Sequence, residues 1–531
     1  MTTASRFNRQ PCAIQTFLPG AGRGIAFLLL SAALLSGCAV TPRLITAQEQ
    51  QALVAADTQS LFAEVEPVTG PISLEEAIAR ALKYNLEHRL SLMEEVLRHR
   101  QTDLASLEML PRLAANAGWV TRSNENLTLS RNTATGATSV DPTVSQDRTR
   151  RHADLTLTWN LLDFGVSYYQ AHQNADQALI AQERRRRVVN QIVQQVRAAY
   201  WKAATAEPLA RELAPLIAEA RGALEDARLI ETRRLSAPLE ILQYQKGLVE
   251  VIRDLETLER DLAVAKAELA SLMGLSPGTA YSLAPVAAEA MKIPRVSLEL
   301  EDMETLALLN RPEMREEAYQ RRITALEARK ALLRLLPGLS LHGALQYDSN
   351  SYLINSNWAE AGARVTWNLL NLVSAPTTLR VAKAQEQVGE VRRLALAMAA
   401  LTQVHVGYQN YVRSTQLYEQ AQLLGDIEQR IFKHVENAAE SQAQSPLQRI
   451  RARMSAAFAE VGRYRAYAEM QGAVANLFVS IGLDPLPEAV EAHDLETLKR
   501  AIGKALDYWN QGHIQTRLLD ELAKLQLARA Q

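Results

Sequence analysis

Residues 155–163 read LTLTWNLLD and residues 363–371 read ARVTWNLLN, so the chain writes Thr-Trp-Asn-Leu-Leu twice, with Trp159 and Trp367 208 positions apart. Other landmarks keep that offset: Tyr200 answers Tyr408, Pro238 answers Pro446, and Gly274 answers Gly482. Upstream of the tryptophans Pro111 answers Pro337 at an offset of 226, so the first repeat carries 18 extra residues between its Leu-Pro and its Trp. A unit of roughly 200 residues is far longer than a solenoid repeat. The 531-residue chain must therefore fold as two similar halves.

Each half keeps one internal order. A helix is expected at 73–110 and at 301–336, stopped by Pro111 and Pro337. Alternating stretches follow. Leu339, Leu341, Leu345 and Tyr347 fall on one face, opposite Ser340, His342, Gln346 and Asp348. Leu155, Leu157 and Trp159 fall opposite Thr156, Thr158 and Asn160, and Ala363, Val365 and Trp367 opposite Arg364, Thr366 and Asn368. Period two with one apolar face is a strand signal, which gives one hairpin per half, with a polar loop at 123–150 and a shorter one at 348–359.

Long helical tracts come next, at 165–235 and 376–445, almost free of turn residues. Leu209, Leu213, Leu216, Ala220, Ala223, Ala227 and Ile230 step by four and three, a coiled-coil seam in which alanines allow close approach. About 70 residues at about 1.5 Å each would reach roughly 100 Å. Pro238 and Pro446 mark where each tract turns back, and Pro208 and Pro215 are expected to kink the first.

Strands of this kind match the signature of a transmembrane β-barrel. Lipid tolerates no open sheet edge, and four strands cannot close a barrel, since such barrels begin at eight. The chain is therefore expected to share a barrel with other copies of itself, with Thr156, Asn160, Thr366 and Asn368 lining its channel.

The N-terminus agrees with an extracytoplasmic fate. Arg6, Arg9 and Arg23 precede an apolar run at 25–35 too short for a permanent span, and the run ends in Leu-Ser-Gly-Cys at Cys38. That ending resembles a bacterial lipoprotein signal, which would discard Cys12 and leave Cys38 as a lipidated first residue. The expected division is a signal peptide at 1–37, a lipidated linker at 38–72, repeats at 73–290 and 291–485, and a C-terminal helical tail at 486–531.

With TWNLLDFG and TWNLLN at the strand-to-helix joints, LNRPEM at 309–314, the turns at Pro238 and Pro446, and the MGLSP and IGLDP helix ends, residues 72–485 resemble the outer-membrane efflux protein family, the TolC-like ducts, in its lipoprotein branch. The resemblance implies a mainly α fold: duplicated long antiparallel coiled-coil helices, plus four strands per chain in a trimeric 12-stranded outer-membrane barrel above an α-helical tunnel. It implies a homotrimer that docks to a periplasmic adaptor and an inner-membrane transporter, seated in outer-membrane lipid and extending into the periplasm. Trp159 and Trp367 would be barrel-interface residues, and Glu240, Gln448 and Arg451 candidates for a gate at the helix tips. Two departures are visible. Gly165 follows the first joint but Val373 the second, so the two joints are expected to differ. Where such ducts commonly close with acidic and polar residues, the first repeat has Glu240 but the second Gln448 and Arg451, so the gate's chemistry is expected to differ.

Nothing in the sequence points to catalysis or a cofactor. HExxH, GxSxG, CxxC and phosphate-loop patterns are absent, and the nine histidines are scattered, with no metal-ligand spacing. The formal net charge of −1 gives no case for nucleic acid. The run Glu183-Arg184-Arg185-Arg186-Arg187 is expected to be a solvated helix face. The competing reading is a lipid-anchored periplasmic coiled-coil adaptor or scaffold, which would carry one helical hairpin between all-β domains.

Overall fold

The computed structural model describes residues 42–233, 237–276, 278–285, 291–440, 446–484 and 494–510. Residues up to Glu64 form a unit of their own. It holds α1 (Ala47–Leu61), which starts in a capping box between Thr46 and Glu49 and buries no side chain. The rest of the chain is the second unit.

There, the two tracts expected as single helices are each broken in two: α2 (Leu74–Tyr84) and α3 (Leu86–Leu107), then α6 (Leu300–Asn310) and α7 (Pro312–Leu333). The breaks have different causes at equivalent places. Asn85 leaves the helix to cap α3, its side chain accepting from the amides of Glu87 and His88. Arg311 is extended because Pro312 disfavours helical backbone before it and suits the first position after it.

Between these pairs lie β1 (Arg112–Thr121), the two-residue β2 (Leu127–Thr128) and β3 (Thr143–Val144), β4 (Thr149–Asn160), α4 (Leu161–Thr232) and α5 (Pro238–Leu272). After α7 come β5 (Gly338–Asp348), β6 (Asn357–Thr366), α8 (Asn371–Glu440), α9 (Pro446–Ile481) and α10 (Leu495–Asn510). The 226 offset carries α2 and α3 onto α6 and α7 residue for residue, and the 208 offset carries α4 and α5 onto α8 and α9 to within two residues at each end. The short β2–β3 ribbon occupies the extra length of the first repeat.

The helical tracts are as long as the sequence required, 72 residues in α4 and 70 in α8. Helix α4 runs unbroken through Pro208 and Pro215. Each long helix packs antiparallel on its return partner, as Arg221–Glu256 and Glu231–Gln245 show for α4 and α5. The main core gathers at mid-length of α4: Ile192, Val196 and Ala203 meet Leu269 and Met273 of α5, Leu477 and Ile481 of α9, and Ile78 of α2. Helix α10 lays Leu498, Ile502 and Leu506 into that core, and Lys499 reaches Glu76 of α2.

Two glycines close this core in the same way. Gly274 (φ 73°) ends α5 against Tyr84, and Gly482 (φ 82°) follows α9 against Asn310 and Arg311. Both sit in the left-handed region, where a side chain is strained. Each touches the helix break of its own repeat.

The joints differ as Gly165 and Val373 implied. In the first repeat β4 runs directly into α4, with Asn160 capping the amides of Leu162 and Asp163. In the second, residues 367–370 intervene before α8. Trp367 there donates Nε1 to the Leu335 carbonyl at 3.0 Å.

Candidate membrane sheet and helix tips

The four long strands form one antiparallel sheet in the order β1-β4-β5-β6. The alternation turns every second side chain to the same face. Across the register Leu113, Leu157 and Gly343 share one face with Ala361, and Leu155 and Leu345 share it with Ala115 and Ala359. Asn116, Asp154 and Gln346 share the opposite face, as do Thr158 and His342.

The burial of these faces is inverted relative to a water-soluble sheet. Leu155, Leu157, Trp159, Leu339, Leu341, Leu345 and Tyr347 are all exposed, while Asp154, Thr156, Thr158, Asn160, Ser340, His342, Gln346 and Asp348 are half-buried. A large contiguous apolar face exposed in this way is costly in water and marks an interaction surface.

The polar face is internally bonded. Asp154 accepts from Asn116 Nδ2 at 2.8 Å and from Thr156 Oγ1 at 2.8 Å, and Arg150 pairs with Asp348 at 3.4 Å. Two histidine rings lie over glycines: a Cβ on Gly118 would collide with the His152 ring, and one on Gly362 would lie 2.5 Å from the His342 ring, so a larger residue at either place would make the ring turn aside. The outer edges of β1 and β6 pair with no strand among the described residues. Trp159 stacks edge-on against Phe164, ring centres 5.9 Å apart, and both Trp159 and Trp367 remain exposed.

The loops above the sheet are tied to each other. Asn350 donates to the Ser145 carbonyl at 3.1 Å and accepts from the Asp147 amide at 2.9 Å. Asp147 in turn accepts from the backbone and side chain of Ser351, bonds that hold its carboxyl below the usual range.

At the far end of the long helices, Pro238 is the first residue of α5, after Ala237 as N-cap. Pro446 opens α9. Glu240, Gln448 and Arg451 are all exposed. Arg451 lies over the ring of Tyr244, 5.9 Å from its centre, and Arg453 pairs with Glu219 of α4 at 2.8 Å. Burial pushes the Tyr244 hydroxyl up, against the opposing charge of Arg451. Cys38 lies outside the described residues.

The Glu183–Arg187 run departs from the solvated face expected of it. Glu183 is buried and pairs with Arg186 and with Arg315 of α7; Arg184 and Arg187 reach Glu316, and Arg185 reaches Glu95 of α3. Arg186 also grips both oxygens of Asp484, at 2.8 and 2.7 Å. The run is a clamp joining α4 to α3, α7 and the segment after α9: Glu183 is buried and Arg185 and Arg186 half-buried, while Arg184 and Arg187 stay exposed at its rim.

Two polar features were missed by sequence reasoning altogether. Arg197 is fully buried and donates to Gln471 at 3.1 Å, which donates to Tyr467 at 3.0 Å. Burial brings Arg197 down to about 10 and pushes Tyr467 up to about 12. Between α4 and α7, Asp176 pairs with Arg322, and the buried Lys330 donates to Gln170 and Gln173 at 2.7 and 2.8 Å. Charged residues at helical core spacing were the available signal. Among the described residues no cluster of three or more His, Cys, Asp or Glu could hold a metal, and no helix is long and apolar enough to cross a membrane.

No protein-family model and no curated protein matches the chain. Solved structures do. The open state of the MtrE outer membrane channel of Neisseria gonorrhoeae aligns with a TM-score of 0.62 at 16% identity, over 77% of this chain and 89% of that one. The CmeC outer membrane channel of Campylobacter jejuni aligns at 0.60 and 12% identity, over 83% and 90%. The outer-membrane channel OprN aligns at 0.60 and 15% identity, over 80% and 95%. The fold of this chain, long paired helices duplicated around a four-stranded sheet, is thus the outer-membrane channel fold that the TolC-like resemblance implied.

Proposed function

We propose that the chain is the outer-membrane duct of a tripartite efflux or secretion system. It would carry cargo from an inner-membrane transporter and a periplasmic adaptor to the cell exterior, without chemistry or cofactor of its own. The observation that carries this reading is the inverted sheet: an exposed apolar face, a bonded polar face and two unpaired edges. Lipid on the apolar face, water on the polar face and a neighbouring copy on each edge would satisfy all three at once.

In this reading the duct is a homotrimer with twelve strands, and Trp159 and Trp367 stand at the membrane interface. The 122–148 connection lies outside the cell, and Cys38 carries lipid after the signal peptide is removed. Glu240, Gln448 and Arg451 beside the Pro238 and Pro446 turns contribute to the periplasmic gate. The 73–290 and 291–485 repeats act as equivalent staves of the tunnel.

The test is reconstitution of the purified protein in a planar bilayer, with its mass in detergent measured by light scattering. A trimer that conducts ions is expected. A stable monomer, or a trimer that never conducts, would sink the duct reading. Replacing Cys38 with Ala should abolish lipid labelling yet leave the protein in the outer membrane; a fully soluble variant would make it a tethered periplasmic body instead.

A further inference from the structure

The internal duplication specifies how two copies of this chain meet. Arg112 faces Thr158 across β1 and β4, and Gly338 faces Thr366 across β5 and β6. These are the same pair after the 226 and 208 offsets, so the two hairpins have one register. The chain also contains one junction between hairpins, β4 against β5, in which Thr156 faces Ala344 and His152 faces Asp348. The unpaired edges of β6 and β1 are the repeat equivalents of β4 and β5.

We infer that β6 of one copy pairs antiparallel with β1 of the next in the register that β4 keeps with β5, with Glu360 opposite Arg122 and Val365 opposite Ala117. This rests on the duct reading and adds the residues of its subunit seam.

Charge agrees with that register, which the offsets alone produced. Glu360 and Arg122 are the counterparts of His152 and Asp348. Both are exposed, and among the described residues neither forms an ion pair. Size agrees too: on the apolar face Trp119 falls opposite Ala363, so the large ring meets a small residue.

The helices below carry the same relation. Within the chain α4 touches α7 through a polar seam; its equivalent between chains is α8 against α3. Asp176 and Arg322 map to Ala384 and Val96, Gln173 and Lys330 to Val381 and Leu104, and Glu183 maps to Val391. The polar seam becomes apolar at each of these places, and Val96, Leu104, Val381 and Val391 are all exposed in the single chain. A second copy is the occupant that covers both stripes at once while pairing both strand edges.

The test is cysteine cross-linking of the full-length protein in outer-membrane preparations. Val365→Cys with Ala117→Cys in one chain should oxidise to a covalent trimer ladder. Val365→Cys with Thr121→Cys places the partners more than roughly 13 Å apart, beyond disulfide reach, and should give at least about tenfold less. Each single variant controls for Cys12 and Cys38. A ladder from the Thr121 pair instead would overturn the register, and a trimer by light scattering that cross-links through neither pair would overturn the seam. A protein that is monomeric throughout would refute the duct reading itself. As an independent arm, Glu360→Arg and Arg122→Glu should each weaken the trimer against detergent, and the double exchange should restore it. Failure of the double exchange to restore a trimer that both singles weaken would also refute this pairing.

Discussion

Helices α4 and α8 occupy the same place in their repeats and have nearly the same length, yet their first halves live in different surroundings. Between residues 173 and 204 α4 buries nearly every second side chain, polar ones included. The matching stretch of α8, up to residue 399, buries none and exposes Val381, Val388, Val391, Leu394 and Met398. The cause is neighbours: α4 packs against both α3 and α7, whereas of these two α8 packs against α7 only. The composition follows the cover that each helix has within its own chain. Where the partner is built in, the face is polar and specific; where it is not, the face is apolar.

The largest effect expected from breaking this contrast is loss of assembly. Replacing Val388 and Val391, 60% and 67% exposed in the single chain, by Glu should leave the monomer's helical melt nearly unchanged. It should abolish the trimer, because burying an unpaired carboxylate costs several kcal/mol each. A trimer of normal detergent resistance in that variant would show that this face of α8 stays wet.

Next in size are substitutions where the repeats share one core. Leu269 and Leu477 are repeat equivalents, both fully buried in the same cluster. Each change to Ala should cost about 2–5 kcal/mol, and the two costs should agree to within about 1 kcal/mol. Denaturation curves that separated them widely would mean the repeats are unequal in the core as well as at the surface.

A smaller difference is expected at the two left-handed glycines. A Cβ on Gly482 would lie 2.8 to 3.0 Å from three backbone atoms of Asn310 and Arg311, and backbone cannot step aside. On Gly274 the nearest atom, at 2.7 Å, is the Cβ of Tyr84, and the backbone stands off at 3.3 Å. Both changes to Ala carry the left-handed penalty of about 1–2 kcal/mol. Gly482→Ala should exceed Gly274→Ala, and thermal melts showing the reverse would put the tighter node in the first repeat.

These contrasts mark what was legible in the sequence. Strand alternation was, because Leu155, Leu157 and Trp159 against Thr156 and Thr158 is a local pattern that lipid or core would read alike. The duplication and the helix lengths were legible for the same reason. The break at Asn85 was not, since a capping side chain leaves no stronger trace than any asparagine. The break at Arg311 should have been read from Pro312. The arginine clamp was illegible because its partners lie far along the chain: Glu95 is 90 residues from Arg185, and Asp484 is 298 from Arg186. Only packing brings those carboxylates to one helix face, and no periodicity encodes it. At the tips, Tyr244 under Arg451 joins one repeat to the other and was equally hidden.

The smallest effect expected sets the polar seam within the chain against its apolar equivalent between chains. Burial alone would raise the Glu327 carboxyl, but hydrogen bonds from Lys330 at 2.7 Å and Gln173 at 3.0 Å hold it below its usual value. A depressed folded pKa means stability that is fully present above the unfolded value of 4.5 and is lost as the pH falls through the folded one. The Glu327 side chain is 44% exposed, so solvent screening keeps the contribution under about 1 kcal/mol. Glu327→Gln should therefore lower the melting temperature slightly at pH 7, and the difference from the native chain should shrink as the pH drops below 4.5. The α8–α3 seam, with Ala384, Val96, Val381 and Leu104 in the matching places, offers no such group. In a Glu360→Gln background, which removes the carboxylate proposed for the strand seam, trimer mass in detergent should hold steady across the same acid range. A trimer that loosened in step with the Glu327 titration would place a carboxylate, not valines and leucines, at the centre of the contact between copies.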